Sequence, residues 1–185
     1  MYKKAVILVS GTGSNMESII KACKESVLHL KIERVFSNRS NPPAFEKATK
    51  YKIPTEFLSS KLDRLEERLS EYIHKNQIDL IILAGFMRIL SPNFTARFKR
   101  MIVNIHPALL PAFPGLDAQR RAWDTGVAKT GVTVHFVDEG VDTGEIILQR
   151  EFIIDRTKSF EFFKNELLKL EHRTYIEALQ SLDKK

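Results

Sequence analysis

Apolar and polar positions along this chain follow two rhythms that take turns in a regular order. Residues 5–9 form a continuous β-rich apolar run of the kind carried by a strand buried on both faces. Met16, Ile19, Ile20 and Cys23 then recur at helical spacing and predict a helix over 15–24. A strand over 31–37 follows, then a short helix over 43–51 with proline near its start and a short strand over 55–58 after Pro54. Leu62, Leu65, Leu69, Tyr72 and Ile73 predict an amphipathic helix over 60–76. Residues 79–84 read as a second buried strand that runs into Gly85-Phe86-Met87-Arg88-Ile89-Leu90-Ser91-Pro92. A strand over 101–105 reaches towards His106, and a short helix is expected over 118–124. Residues 131–137 alternate as a strand does, and the apolar run 146–154 should return antiparallel to it. Ser159 is a suitable N-cap for a long last helix, with Glu161 in its first turn and Phe163, Leu167, Leu170 and Ala178 facing inward.

Strands alternating with helices predict an α/β fold with a largely parallel sheet, an antiparallel C-terminal strand pair and helices on both faces. In such sheets ligands bind beyond the carboxyl ends of the strands. The turn after residue 9, the 85–90 segment and the stretch 104–115 all lie at such ends, so three loops can converge on one edge.

With 185 residues, 43% hydrophobic and 28% charged, the chain suits one soluble domain over 1–185 with a substantial core. The net charge of +6 suits an anionic ligand. The lysines and arginines are scattered, however, and zinc-ligand spacing, a basic helix and an RNP-like pattern are all missing, so nucleic acid is not the expected partner. Cys23 is the only cysteine, which excludes an intramolecular disulfide and suggests a reducing compartment; its helical spacing suggests a small buried apolar residue. Met1-Tyr2-Lys3-Lys4 before the first apolar run imitates a signal peptide, but five apolar residues are too few for one, and no run approaches membrane-spanning length. A cytoplasmic protein without membrane contact is expected.

Candidate chemistry sits at the three loops. A strand, the turn Ser10-Gly11-Thr12-Gly13-Ser14-Asn15 and a helix N-terminus form an anion site, because free amide N–H groups and the positive helix end point at the ligand. Gly11 and Gly13 begin a dinucleotide fingerprint, but Met16 occupies the place of its third glycine. Arg39 after the next strand keeps a nicotinamide enzyme open, and so does a purely structural turn. Asn104 and His106 lie two apart on one strand and share a face, so an amide donor and a titratable imidazole converge. Pro107, Pro111 and Pro114 stiffen the loop beyond them, and a cis Leu110-Pro111 bond would suit so tight a path. A turn asparagine and a satisfied core histidine are the plainer alternative. Asp138-Glu139-Gly140-Val141-Asp142-Thr143-Gly144-Glu145 is an acidic connector that usually means a solvated turn, and its spacing does not fit a calcium loop.

Asn104-Ile105-His106-Pro107-x-Leu109-Leu110-Pro111, followed by Gly131-x-Thr133-Val134-His135-Phe136-Val137-x-x-Gly140-Val141-Asp142-x-Gly144, resembles the formyltransferase family that uses 10-formyltetrahydrofolate. Ser10-Gly11-x-Gly13-Ser14-Asn15 and Leu83-Ala84-Gly85-Phe86-Met87-Arg88-Ile89-Leu90 extend the likeness to essentially the whole chain. The resemblance implies a three-layer Rossmann-like formyltransferase fold. It also implies transfer of a formyl group from 10-formyltetrahydrofolate to the glycinamide amine of phosphoribosylglycinamide in purine synthesis, without metal, by a monomer or weak homodimer.

Amine attack on a formyl carbon makes a tetrahedral oxyanion, so such a site needs donors aimed at that oxygen and a route for a proton to the departing nitrogen. By the resemblance Asn104 and His106 are those donors, and Asp142 orients the ring and should raise its pKa. Gly13, Ser14 and Asn15 would hold the substrate phosphate or ribose, and Glu171 would meet the glycinamide end. Arg64, Met87, Arg88, Ile89 and Leu90 would line the folate site with Asn104, Asp138, Glu139, Gly140, Val141 and Asp142. The chain departs from the family at Ala108, where serine is frequent, and at Asp117 and Gln119, where relatives commonly carry histidines. Formyltetrahydrofolate deformylases share the Asn, His and Asp but carry a regulatory domain before the first strand. Methionyl-tRNA formyltransferases add a C-terminal RNA-binding domain. The chain is therefore expected to be a formyl transferase acting on a small amine.

Overall fold

The computed structural model describes residues 3–183, so Met1 and Tyr2 of the signal-like segment lie outside the described residues, as do Lys184 and Lys185. The elements run β1 (Lys3–Val9), α1 (Ser14–Lys24), β2 (Leu30–Ser37), α2 (Pro43–Lys50), β3 (Thr55–Phe57), α3 (Leu62–Asn76), β4 (Leu80–Leu83), α4 (Pro92–Arg97), β5 (Ile102–His106), α5 (Ala118–Asp124), β6 (Lys129–Phe136), β7 (Ile146–Ile153) and α6 (Phe160–Asp183). The strands form one sheet in the order β3-β2-β1-β4-β5-β6-β7. The first five strands in sequence are mutually parallel, and β6 runs antiparallel to both β5 and β7. The antiparallel part thus takes in β5 as well as the expected C-terminal pair.

Period-two alternation in β1 explains the layering. Ala5, Ile7 and Val9 enter one core with residues of α1, α2 and α6, whereas Val6 and Leu8 enter a second core with residues of α3 and α4. Both sets are fully buried, so the unbroken apolar run reflects a strand covered on both faces. Cys23 is half-buried and packs against the first core, less enclosed than its spacing suggested. Among the described residues no helix is long and apolar enough to cross a membrane.

α4 is the one element the hydrophobic pattern did not indicate. Six residues are too few to show a helical period, and its start depends on local chemistry instead. Ser91 Oγ accepts the Phe94 N–H at 3.2 Å with Pro92 in the first turn, and Glu66 of α3 accepts from the Ser91 N–H and Oγ–H, both at 2.6 Å.

Two features fix the strand ends that face the site. Tyr175 of α6, fully buried, sets its hydroxyl 3.0 Å from the Leu83 carbonyl and 2.9 Å from that of Val103, tying the last helix across β4 and β5. Thr133 of β6 donates to the Ala108 carbonyl at 2.7 Å and accepts from the Leu110 N–H at 3.1 Å and from Gln149 Nε2 at 2.8 Å. The proline loop, in which Leu110-Pro111 is cis, is therefore held by a threonine as well as by its ring constraints.

Gly131 lets this loop lie against β6. A Cβ there would come within 2.1 Å of the Arg150 carbonyl oxygen and 2.6 Å of Leu109 Cδ2. Gly131→Ala is expected to cost about 3 kcal/mol through overpacking against backbone, measured by urea unfolding at neutral pH; a loss below about 0.5 kcal/mol, the level of an ordinary surface change, would contradict this reading of the contact.

Candidate active site

β1 has β2 on one side and β4 on the other, so the sheet order reverses between β1 and β4. A cavity of about 1120 Å³ opens at this carboxyl edge, where such a switch point places a ligand crevice. Of the residues expected in the site, Ser14, Asn15 and Glu171 line one part of the cavity. Asn104, His106 and Asp142 line it as well, and so do Met87, Arg88, Ile89, Leu90, Asp138, Gly140 and Val141.

Gly13, Arg64 and Glu139 do not line it. Gly13 caps α1 with φ +69°, and a Cβ there would lie 2.7 Å from that of Ala44, so its contribution is the turn itself and the close approach of α2. Arg64 is exposed on α3, where its neighbour Leu62 reaches the cavity in its place, and Glu139 is exposed at the tip of the acidic connector.

The connector folds back over the sheet edge and delivers Asp142, at φ +56°, into contact with three other segments. Its Oδ2 accepts the Gly115 N–H at 2.8 Å and lies 3.2 Å from His106 Nδ1, and its Oδ1 lies 3.5 Å from His135 Nε2. Burial pushes the Asp142 carboxyl up, but the hydrogen bonds with His135 and the Gly115 N–H and the charge of His106 together hold it at about 2. It is an anion at neutral pH.

The other nitrogen of His106, Nε2, donates to the Phe113 carbonyl at 2.8 Å. Both ring nitrogens thus face oxygens that only accept, and each proton the ring carries has a partner. Burial nevertheless draws the His106 imidazole below its ordinary value, against the opposing pull of the Phe113 carbonyl and the Asp142 carboxylate. Asp142 does pull the imidazole upward, as expected, but it does not set the net direction. The ring is 5% exposed, and loss of hydration outweighs the ion pair.

His135, which pattern reading did not single out, completes the cluster. It stands opposite Asn104 in the β5–β6 register. Its Nδ1 donates to the Phe136 carbonyl at 2.8 Å, and its Nε2 lies 3.3 Å from Asn104 Nδ2. Thr133 and His135 alternate on the strand that follows the loop, and this spacing was the available signal. The pairing of β6 with β5 was needed to turn it into a contact.

At the opposite end, the first turn of α1 presents amide groups with no partner inside the helix. There Glu171 Oε2 accepts from Asn15 Nδ2 at 2.9 Å and Oε1 accepts from Gln119 Nε2 at 3.1 Å. Burial pushes the Glu171 carboxyl up to about 7, although both amides work against the rise. Gln119 is one of the departures from the resemblance, and it is built into this cluster. Asp117 caps α5 at φ +56°, while Ala108 is buried and offers its carbonyl to Thr133.

Between the two ends the cavity rim is apolar. Met87 is 61% exposed, Ile89 66% and Leu116 77%, a shelf suited to a flat aromatic ligand and framed by backbone. The segment carrying Met87 is held by Ser10, whose Oγ accepts the Met87 N–H at 2.8 Å and donates to Asn38 Oδ1 at 2.6 Å.

A doubly covered, mostly parallel sheet with an amide, two imidazoles and a buried carboxylate gathered on one cavity wall defines a Rossmann-like α/β protein. The chain matches the formyl transferase family over residues 3–179 and belongs to it. It is 35% identical over 184 residues to phosphoribosylglycinamide formyltransferase of Bacillus subtilis, covering 97% of this chain and 94% of that protein. It is 38% identical over 186 residues to the trifunctional purine biosynthetic protein adenosine-3 of Drosophila melanogaster, covering 97% of this chain but only 14% of that longer protein. The crystal structure of glycinamide ribonucleotide transformylase 1 from Geobacillus kaustophilus superposes with a TM-score of 0.94 at 35% identity, covering 99% of this chain and all of that one.

Asp142 is held below its unfolded value of 3.8, so its contribution to stability is present above about pH 4 and is lost as the pH falls towards 2. Asp142→Asn should therefore lose about 2 kcal/mol at pH 7, and the gap from wild type should close between pH 4 and pH 2 in urea titrations. A gap that does not change with pH would contradict the assignment.

Proposed function

We propose that this chain transfers the formyl group of 10-formyltetrahydrofolate to the primary amine of N1-(5-phosphoribosyl)glycinamide, a step of purine (IMP) biosynthesis. The observation that carries the proposal is the Asp142 carboxylate joined to His106 beside Asn104 on the cavity wall, in a chain similar along its length to proteins named for this reaction. The cavity volume and its apolar shelf fit a folate-sized ligand. As co-substrate, 10-formyltetrahydrofolate supplies the activated formyl group. Met87, Ile89, Leu90 and Val141 would flank it, with Arg88 and Asp138 at the rim. Arg64, exposed on α3, remains free to meet an extended acidic tail. Ser14 and Asn15, in the turn set by Gly13, would receive the phosphate or ribose of the amine substrate.

In this reading Asn104 donates its amide N–H to the oxygen on which negative charge develops, and His106 donates the second hydrogen bond once Phe113 yields its nitrogen. With the ring neutral and its proton on Nδ1 towards Asp142, Nε2 is free to take up the proton that the attacking amine sheds, and the imidazolium so formed donates that Nε2–H to the oxygen. Asp142 stabilises the charged ring as it forms. The proton then passes to the departing folate nitrogen as its bond to the formyl carbon breaks. An activity on water-soluble metabolites fits one formyltransferase domain over 1–185, cytoplasmic and working as a monomer or weak homodimer.

In a coupled assay with 10-formyltetrahydrofolate, tetrahydrofolate should form only when phosphoribosylglycinamide is present; equal rates with and without the amine would identify a hydrolase instead. His106→Ala and Asn104→Ala should each lower kcat by roughly 10²- to 10³-fold with modest change in either KM. Losses below tenfold would remove both side chains from the oxyanion role.

A further inference from the structure

Apart from the Asp142 cluster, polar side chains of three helices meet in one buried group on the cavity wall. Glu171 of α6 is 7% exposed, and each of its oxygens is already fixed in direction by an amide, Oε2 by Asn15 of α1 and Oε1 by Gln119 of α5. Each oxygen keeps acceptor capacity after taking one hydrogen bond. Asn15 is itself 8% exposed, and its Oδ1 is buried without a hydrogen-bond partner. All three residues line the cavity. A buried acceptor without a donor, beside a carboxylate whose lone pairs are aimed, is a place prepared for hydroxyl groups.

On the formyl-transfer reading, on which this inference rests, the phosphate lies at the start of α1 and the amine at His106. The ribose spans the interval, and its hydroxyls are the donors available to the cluster. We propose that Gln119 is a positioning residue for the phosphoribosyl substrate: its amide fixes Oε1 of Glu171 so that Glu171 and Asn15 Oδ1 can accept the ribose hydroxyls, which sets affinity for the amine substrate without contact with the reacting atoms. A neutral amide suits the task because it directs the carboxylate without cancelling its charge.

The groups that act on Glu171 can be named element by element. Asn15 faces it from α1 and Gln119 from α5, next to Arg120 on the cavity wall, and Lys164 on its own helix lines the same cavity. Its neighbour His172 is influenced instead by Lys47 and Glu17. Burial raises the Glu171 carboxyl and the two amides oppose it, so loss of the Gln119 amide moves the carboxyl further up.

The test is steady-state kinetics of the full chain across pH 5.5–8.5 for Gln119→Ala, Gln119→Met and Gln119→His. Gln119→Met keeps the length of the side chain and removes the donor. The expected result is a KM for phosphoribosylglycinamide raised about tenfold in the Ala and Met variants, with kcat and the KM for 10-formyltetrahydrofolate within threefold of wild type. The acid limb of kcat/KM for the amine substrate should also move to higher pH. Gln119→His, whose ring N–H can reach the same oxygen, should keep the KM at pH 8 within threefold. An unchanged KM and acid limb in Gln119→Met, or equal rises in both KM values, would overturn the proposal. Wild type without amine-dependent transfer would overturn the underlying functional reading, and this inference with it.

Discussion

A single carboxylate holds the candidate site together. Asp142 arrives from the β6–β7 connector and touches β5 through His106, β6 through His135 and the proline loop through the Gly115 N–H. The loop is stiffened by three prolines and pinned by Thr133, and its far end meets the sheet edge where the Phe113 carbonyl reaches His106 and Gly115 reaches Asp142. An ion cluster this enclosed loses hydration as well as gaining Coulomb energy, and the two effects divide unequally. Asp142, with backbone and side-chain donors, stays an anion, while His106 is drawn towards neutrality.

The cavity therefore holds two carboxylates in opposite circumstances. Asp142 is kept at about 2 by donors and nearby rings, and Glu171 is pushed to about 7 by burial with two amides as its support. Environments that separate like groups in this way commonly separate their tasks. A permanent anion suits stabilisation of a transient imidazolium, and a carboxyl near its midpoint at neutral pH suits recognition of neutral donors.

Much of the fold was legible because the sheet is buried on both sides. The runs that became β1 and β4 are unbroken, and the helices between them keep apolar spacing, so the parallel sheet and the loop-bearing edge followed from periodicity, whereas the strand order did not. α4 was not legible, because a six-residue helix set by Ser91 and Pro92 has no period to read. β6 begins at Lys129, two residues before the expected start at Gly131, because Lys129 pairs with Ile153 of β7, a tertiary fact. In the site, Asn104, His106 and Asp142 carry their chemistry in the sequence itself. His135 depended on the β5–β6 register, and Gln119 on the packing of α5 against α6. The upward pull of Asp142 on His106 could be inferred from the motif, whereas the burial that outweighs it, at 5% exposure, could not.

The central claim is that Asp142 acts through His106, and a double-mutant cycle on kcat addresses it most directly. His106→Ala, Asp142→Ala and the double variant are compared at saturating concentrations of both substrates. Residues that work as one unit give a double variant no slower than His106→Ala alone, within about threefold. Losses that multiply, so that the double variant is slower by the product of the two single effects, would show that the carboxylate and the imidazole act independently and would contradict the account.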